Sequence, residues 1–342
     1  MEHRKIIALG KSSNAVTLPK DWLKENHLKK GDFVIMHKRN DGGLILQPYS
    51  NEHEEPKKIC LSIRSEETPN SIKRRVIGSF LDGYSLITLR SDKIFKGDQQ
   101  EAIREISRRL YMMVISSESS NIQLETIIDE SKASISSCID RMHMITFAML
   151  RDVIEAFEKY DKELSMSVIS LEEDVDQLMY LVLRIIRNAV QDPGLAGQLS
   201  LEPLDCLDFQ TLVQLIERVA DNVTDIAESQ IKIVEEGVLI PERLKITLLD
   251  AAKMAFKSYE EAVHCFMYKD IEPTNKIINR QDDIRDIYLK ITPMPLSSDF
   301  NSSQITQVIG IRENIMDISS LSADIAELTI DRVSKYEKAV KA

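Results

Sequence analysis

Residues 131–342 carry helical periodicity almost without a break, which restricts this part of the chain to packed helices. Six stretches, at about 131–159, 162–191, 205–236, 241–269, 271–291 and 303–338, are divided at Asp192-Pro193-Gly194, Gly237 with Pro241, Glu272-Pro273 and Pro293-Met294-Pro295. In the third stretch Leu212, Leu215, Ile216, Val219, Val223, Ile226 and Ala227 share one face at helical spacing. Six helices of this length, joined by mostly short loops, predict antiparallel bundles. Glycine usage agrees. Only four of the 11 glycines lie beyond residue 100, so turn-rich structure comes first and long helices later.

The first 50 residues contain short β-like runs at Lys5–Leu9, Ala15–Leu18, Phe33–His37 and Leu44–Gln47. Lys11-Ser12-Ser13-Asn14 reads as the turn of a first hairpin and Asp41-Gly42-Gly43 as that of a second. Between them, Pro19 to Lys24 suits a short helix with proline near its start. Some 50 residues with one Trp and few large aliphatics make a marginal core, so dimerisation is expected to complete it. A polar linker, Asn51 to Pro56, leads into strand–helix alternation: Ile59–Arg64, Pro69–Leu81, Ser85–Leu89 and Gln99–Leu110, then strands at Met112–Ser116 and Ile122–Ile128. This predicts a small α/β module without a glycine-rich phosphate loop. The expected domains are 1–50, 57–130 and 131–342, the last split into repeats of about 131–237 and 241–342.

Charge divides along the same lines. The chain as a whole has a net charge of −11, which alone argues against a nucleic-acid partner. Residues 1–50 nevertheless hold nine Lys/Arg against five acids, a net of +4, and the remaining 292 residues carry −15. A small basic head on a long acidic body is the first functional clue. The four cysteines, Cys60, Cys138, Cys206 and Cys265, stand far apart with no C-x-x-C, which argues against a thiolate zinc site. No apolar leader follows Glu2-His3-Arg4-Lys5 and no run approaches membrane-spanning length. The expectation is a soluble, cytoplasmic protein with no membrane insertion.

Part of the body's acidity is ordered. The third stretch holds Glu217, Asp221, Asp225 and Glu228, at about 0°, 40°, 80° and 20° around the helix. The sixth repeats the pattern with Glu313, Asp317 and Asp324, at about 0°, 40° and 20°. The second adds Glu172 and Asp176, and the fifth Asp282 and Asp286, again four apart. The bundle therefore reads as an internal duplication of three helices plus three. Stacked carboxylates repel, by about 0.2–0.5 kcal/mol per pair. A cation bridging two such helices would relieve that, and an all-oxygen donor set suits Mg, Mn, Ca or oxidised iron. The competing reading is a solvated acidic face. A di-iron oxidase wants two E-x-x-H motifs, and only Glu261–His264 fits. With no nucleophile–base pair beside the acids, an enzyme is not expected, nor is an organic cofactor.

Two resemblances follow from these residues. Arg4-Lys5-Ile6, Gly10-Lys11-Ser12, Val16-Thr17-Leu18-Pro19-Lys20, Trp22-Leu23 and Leu28-Lys29-Lys30-Gly31-Asp32 resemble the AbrB/SpoVT/MazE-type DNA-binding domain. That resemblance implies a swapped-hairpin β-barrel formed by two chains, presenting basic residues to DNA. Glu217-Arg218-Val219-Ala220-Asp221 with Asp225-Ile226-Ala227-Glu228 is similar to the signature of PhoU, the regulator associated with phosphate uptake. The second copy departs by placing Asn314 where the first has Arg218. Together the two resemble the AbrB–PhoU fusion regulators of archaea. The resemblance implies a multi-domain protein: an AbrB-like barrel, a small α/β module and an all-α PhoU-like bundle of two three-helix repeats.

The function so implied is a homodimeric, DNA-binding transcriptional regulator of phosphate uptake. Arg4, Lys5, Lys11 and Lys20 are the candidate DNA contacts, with Ser12 and Asn14 as polar donors in the loop. Glu172, Asp176, Glu217, Asp221, Asp225, Asp282, Asp286, Glu313 and Asp317 are the candidate metal ligands. The alternative is a cytoplasmic adaptor that contacts a phosphate ABC transporter or its sensor, the head serving only to dimerise.

Overall fold

The structure is a computed structural model and describes residues 3–9, 13–38, 42–49, 56–297 and 299–334. It divides into two compact units, Met1–Pro56 and Lys57–Ala342.

In the first unit β1 (Ile7–Leu9) pairs antiparallel with β2 (Ser13–Ala15). The helix α1 (Lys20–Glu25) follows, and β3 (Val34–Lys38) pairs antiparallel with β4 (Leu44–Pro48). Pro19 caps α1 and Asp21 lies in its first turn, where the helix dipole favours an acid. One expected strand is displaced. The ladder places Asn14 opposite Ala8 and Leu9 opposite Ser13, so β2 ends where Ala15–Leu18 was expected to begin. β-branched Val16 and Thr17 attract a strand assignment by propensity, whereas hairpin register decides the pairing. None of the described residues of this unit is buried.

The second unit opens with β5 (Lys58–Ile63), α2 (Pro69–Leu81), β6 (Leu86–Ser91), α3 (Gly97–Arg109), β7 (Met112–Ser117) and β8 (Asn121–Thr126). Their sheet has the order β5-β6-β8-β7, with β5 and β6 parallel and the other pairs antiparallel. A helical crossover is what parallel strands require, and α2 supplies it. Thr68 caps α2 by accepting from the Ser71 N–H, and Pro69 occupies its first turn. Leu61, Ile63, Ile87, Leu89, Ile122 and Leu124 alternate along their strands and meet Ile72, Val76, Phe80 and Ile103 of the helices in one core.

The helical body comprises α4 (Ile135–Lys159), α5 (Lys162–Gln191), a short α6 (Pro193–Gln198), α7 (Pro203–Glu235), α8 (Glu242–Tyr268), α9 (Thr274–Ile291) and α10 (Ser302–Ser334). α4, α5 and α7 pack as one trio and α8, α9 and α10 as another, the trios meeting along α7/α10 and α4/α8. A single apolar core runs through both. The break at Asp192-Pro193-Gly194 proves to be a helix start. The Asp192 carboxylate accepts from the Gly194 N–H, and α6 follows at once. Among the described residues, no helix is long and apolar enough to cross a membrane.

The α/β module and the bundle have separate cores within one compact unit, with Leu81 and Tyr180 packed against both. Gly83, between α2 and β6, marks how closely they approach. Its φ is +86°, and a Cβ there would lie 2.3 Å from Asn188 Oδ1 on α5, so only glycine fits.

Candidate functional site

Acids on α5 and α7 meet on the first trio. α5 brings Glu172 and Asp176, α7 brings Glu217 and Asp221, and all four charges act on one another. Asp176 is 6 % exposed, whereas Glu172 and Glu217 are half-buried. Burial, reinforced by the neighbouring Asp176, pushes the Glu172 carboxyl up to about 7. Burial and the Asp221 charge push Glu217 up to about 7 as well. Asp176 and Asp221 are raised too, each chiefly by burial. Asp225, one turn on, is exposed and belongs to the margin of the cluster, where burial and Glu228 raise its carboxyl. The spacing on each helix, read from the sequence, thus brings the first-repeat acids together across two helices.

The corresponding acids of the second trio are arranged differently. Asp282, Asp286, Glu313 and Asp317 are all exposed. Glu313 accepts from the Tyr288 hydroxyl at 2.9 Å and from Arg312, whose guanidinium lies 4.2 Å from the Tyr288 ring centre. Asp282 forms an exposed ion pair with Arg285 at 3.6 Å. Duplication of sequence has therefore not duplicated the cluster. Glu261, half of the lone E-x-x-H, binds Arg280 at 2.8 Å, and His264 stacks on Tyr268 at 4.4 Å.

Four oxygen-donating carboxylates on two helices, Asp176 buried, Glu172 and Glu217 half-buried and Asp221 exposed, repel one another, and all-oxygen donors are what a hard cation takes. As they stand, though, no group of three or more His, Cys, Asp or Glu among the described residues is arranged to hold a metal ion. The positive charge at the cluster belongs to Arg109, the last residue of α3. Its Nη1 donates to Asp176 Oδ2 at 2.9 Å and its Nη2 to Glu173 Oε1 at 3.4 Å. Periodicity gives no sign of this, because Arg108-Arg109 reads as an ordinary solvated helix end. The α/β module reaches the bundle again at Arg184, which is 1 % exposed and pairs with Glu130 at 2.6 Å. For Arg184 the sequence does hold a signal: a lone cation in the apolar run Met179–Ile186.

The raised carboxyls make stability depend on pH. A group whose pKa is about 7 when folded and 4.5 as a free side chain binds a proton more readily in the fold. Its stabilising contribution is complete below 4.5 and is lost as pH rises through about 7. Glu172→Gln/Glu217→Gln, which mimics the protonated pair, should match the wild type at pH 5 in the presence of chelator. At pH 8 it should exceed it by about 1–2 kcal/mol, solvent screening of these half-exposed groups included. Thermal melts across that range test this. A stability difference independent of pH would contradict it.

The basic head supplies the other candidate site. Arg4, Lys5 and Lys20 are exposed, the first two shortly before β1, from which Ile6 separates them, and Lys20 at the start of α1. Asn14, expected in a loop, lies within β2, and Lys11 and Ser12 fall outside the described residues. Beside these cations the head exposes apolar side chains, with Phe33 at 73 % and Ile6 at 72 %.

Comparison with known proteins bears on both regions. A family model described as "PhoU domain" matches residues 139–230, from within α4 to late in α7. Over that segment the chain is similar to a PhoU domain. Solved structures agree at the level of fold. PhoU from Pseudomonas aeruginosa aligns with a TM-score of 0.53 at 16% identity, over 59% of this chain and 96% of its own. The phosphate transport system regulatory protein PhoU from Streptococcus pneumoniae aligns with a TM-score of 0.50 at 14% identity, over 60% of this chain and 95% of its own. Those shares exceed what residues 139–230 alone could fill, so the fold likeness extends beyond the segment matched in sequence. The first-repeat cluster lies inside that segment, whereas Glu313 and Asp317 lie beyond it. A second model, "Antidote-toxin recognition MazE, bacterial antitoxin", matches residues 7–52. A search of curated proteins found no match.

Proposed function

We propose that this protein is a dimeric transcriptional regulator of phosphate uptake, in which the MazE-like head binds DNA and the PhoU domain serves as sensor or partner platform. One observation carries this reading: a basic MazE-type segment and a PhoU domain occur in a single chain. The head's surface supports the dimer. A unit that buries none of its described residues yet exposes Ile6, Leu9, Phe33 and Met36 gains its core from a second chain. Two copies then bring a charge of +8 to one surface, with Arg4, Lys5, Lys11 and Lys20 on phosphates and Ser12 and Asn14 as polar donors. The protein is a regulator rather than a catalyst, and Glu172, Asp176, Glu217 and Asp221 are its proposed metal ligands.

A second reading draws on the name of the Streptococcus pneumoniae relative, a phosphate transport system regulator. Here the PhoU domain contacts a transporter or its sensor, and the head only dimerises. Mapping of DNA occupancy across the genome in phosphate-rich and phosphate-poor cells separates the two. The regulator should occupy sites beside phosphate-uptake genes and change occupancy between conditions. Co-purification with transporter subunits in the absence of any DNA footprint would favour the adaptor.

A further inference from the structure

The sheet of the α/β module has two edges, and they are finished differently. β5 forms one. Lys58 lies in it, Lys57 and Arg64 flank it, and Arg75 reaches from α2 to donate to its Ser62 carbonyl at 2.7 Å. Charge and an occupied backbone acceptor keep an edge from pairing with a further strand. β7 forms the other edge, and Met112–Ser117 holds no charged residue. Met113, Val114 and Ile115 are all exposed. Exposed Ile127, whose N–H donates to the Tyr111 carbonyl just before β7, extends this apolar rim. A bulge leaves Ile115 without a partner on β8, yet it too offers an apolar side chain rather than a charge.

We propose that β7 pairs antiparallel with β7 of a second copy of this chain, joining two four-stranded sheets into one. An open edge offers a row of backbone donors and acceptors, so its occupant is a strand rather than a helix face. Identical strands meeting across a two-fold axis set the residues near that axis opposite themselves, where any charge would face a like charge. β7 has none, which suits a copy of itself. The inference rests on the reading that the head makes the chain a dimer. Six edge residues are few against the roughly 20–30 a side of a stable interface. A head that already joins the chains makes the pairing intramolecular, at an effective concentration on the order of mM.

The test uses the full chain with Cys60→Ser/Cys138→Ser, which leaves only the buried Cys206 and Cys265. Met113→Cys, Val114→Cys and Ile115→Cys are each oxidised in that background and compared with Lys58→Cys on the other edge. At least one of the three should form disulfide-linked dimers roughly tenfold faster than Lys58→Cys. Met113→Lys/Ile115→Lys should speed hydrogen exchange along β7 about tenfold, while light scattering still shows a dimer. Cross-linking at all three positions no faster than at Lys58→Cys, in a chain that scattering shows to be dimeric, would overturn the strand pairing and leave the head dimer standing. An edge reserved for a strand of another protein gives that same contrary result. A monomeric wild type would overturn the dimer reading and this inference together. Circular dichroism of each variant confirms that the fold persists.

Discussion

Arg184→Met should destabilise the second unit by about 3–5 kcal/mol and lower its Tm by roughly 10 °C. Four of the five guanidinium N–H groups are engaged. Nε donates to Glu130, Nη1 to the carbonyls of Phe80 and Tyr84, and Nη2 to that of Gly83. The flat face lies 4.6 Å from the Phe80 ring centre. The carbonyls come from the C-terminal end of α2 and the turn beyond it, where a helix leaves its last acceptors unpaired and favours a cation. Methionine fills much of the volume but satisfies none of these groups, and it strands the Glu130 carboxylate, whose side chain is 15 % exposed.

Glu130 makes the effect separable into parts. Its other oxygen accepts from Asn188 Nδ2 at 2.5 Å, so Glu130→Gln retains part of the network. Arg184→Met/Glu130→Gln should recover about half of the loss, because the stranded charge is gone and only the carbonyls remain unsatisfied. Urea and thermal melts of the single and double variants give the coupling directly. A Tm change under about 2 °C for Arg184→Met would mean that this contact does not hold the module to the bundle.

The long helices were legible because hydrophobic period and breakers agree along 131–342. The expected stretch 162–191 matches α5, and 205–236 lies within two residues of α7. α6 was missed because proline and glycine in Pro193–Gln198 signal a break, although Asp192 caps a short helix there. In the α/β module the alternation of strands and helices held throughout. Its parallel β5/β6 pairing is the outcome expected of two strands joined by a helix. In the head, hairpin register moved β2 away from its β-branched residues, a choice that local propensity cannot anticipate.

The candidate site was partly legible. Spacing of four on α5 and α7 identifies Glu172, Asp176, Glu217 and Asp221 as acids sharing a side, and packing places them together. The same spacing on α9 and α10 produced exposed acids with other partners, since Tyr288 and Arg312 engage Glu313. Periodicity specifies a face, not what lies opposite. Arg109 was invisible for that reason: its role depends on how α3 docks against α5, which nothing in its local sequence encodes.

DNA binding is the claim on which the functional account depends, and its electrostatics predict a large effect. Arg4→Ala/Lys11→Ala removes two cations per chain, four in the dimer, from a head whose net charge is +4 per chain. Each phosphate contact contributes about 0.9 to the dependence of log affinity on log salt, so the slope should become shallower by about 3–4. Affinity at low salt should fall by roughly two orders of magnitude. Arg4 is exposed, and the dimer should persist in light scattering. Glu217→Ala/Asp221→Ala, in the other compact unit, should leave the slope unchanged. The deciding measurement is therefore the affinity of the full chain for duplex DNA at several salt concentrations, for the wild type and Arg4→Ala/Lys11→Ala. A steep wild-type slope that becomes shallower in the variant is the expected result, and the same affinity and slope in both would contradict a DNA-binding head.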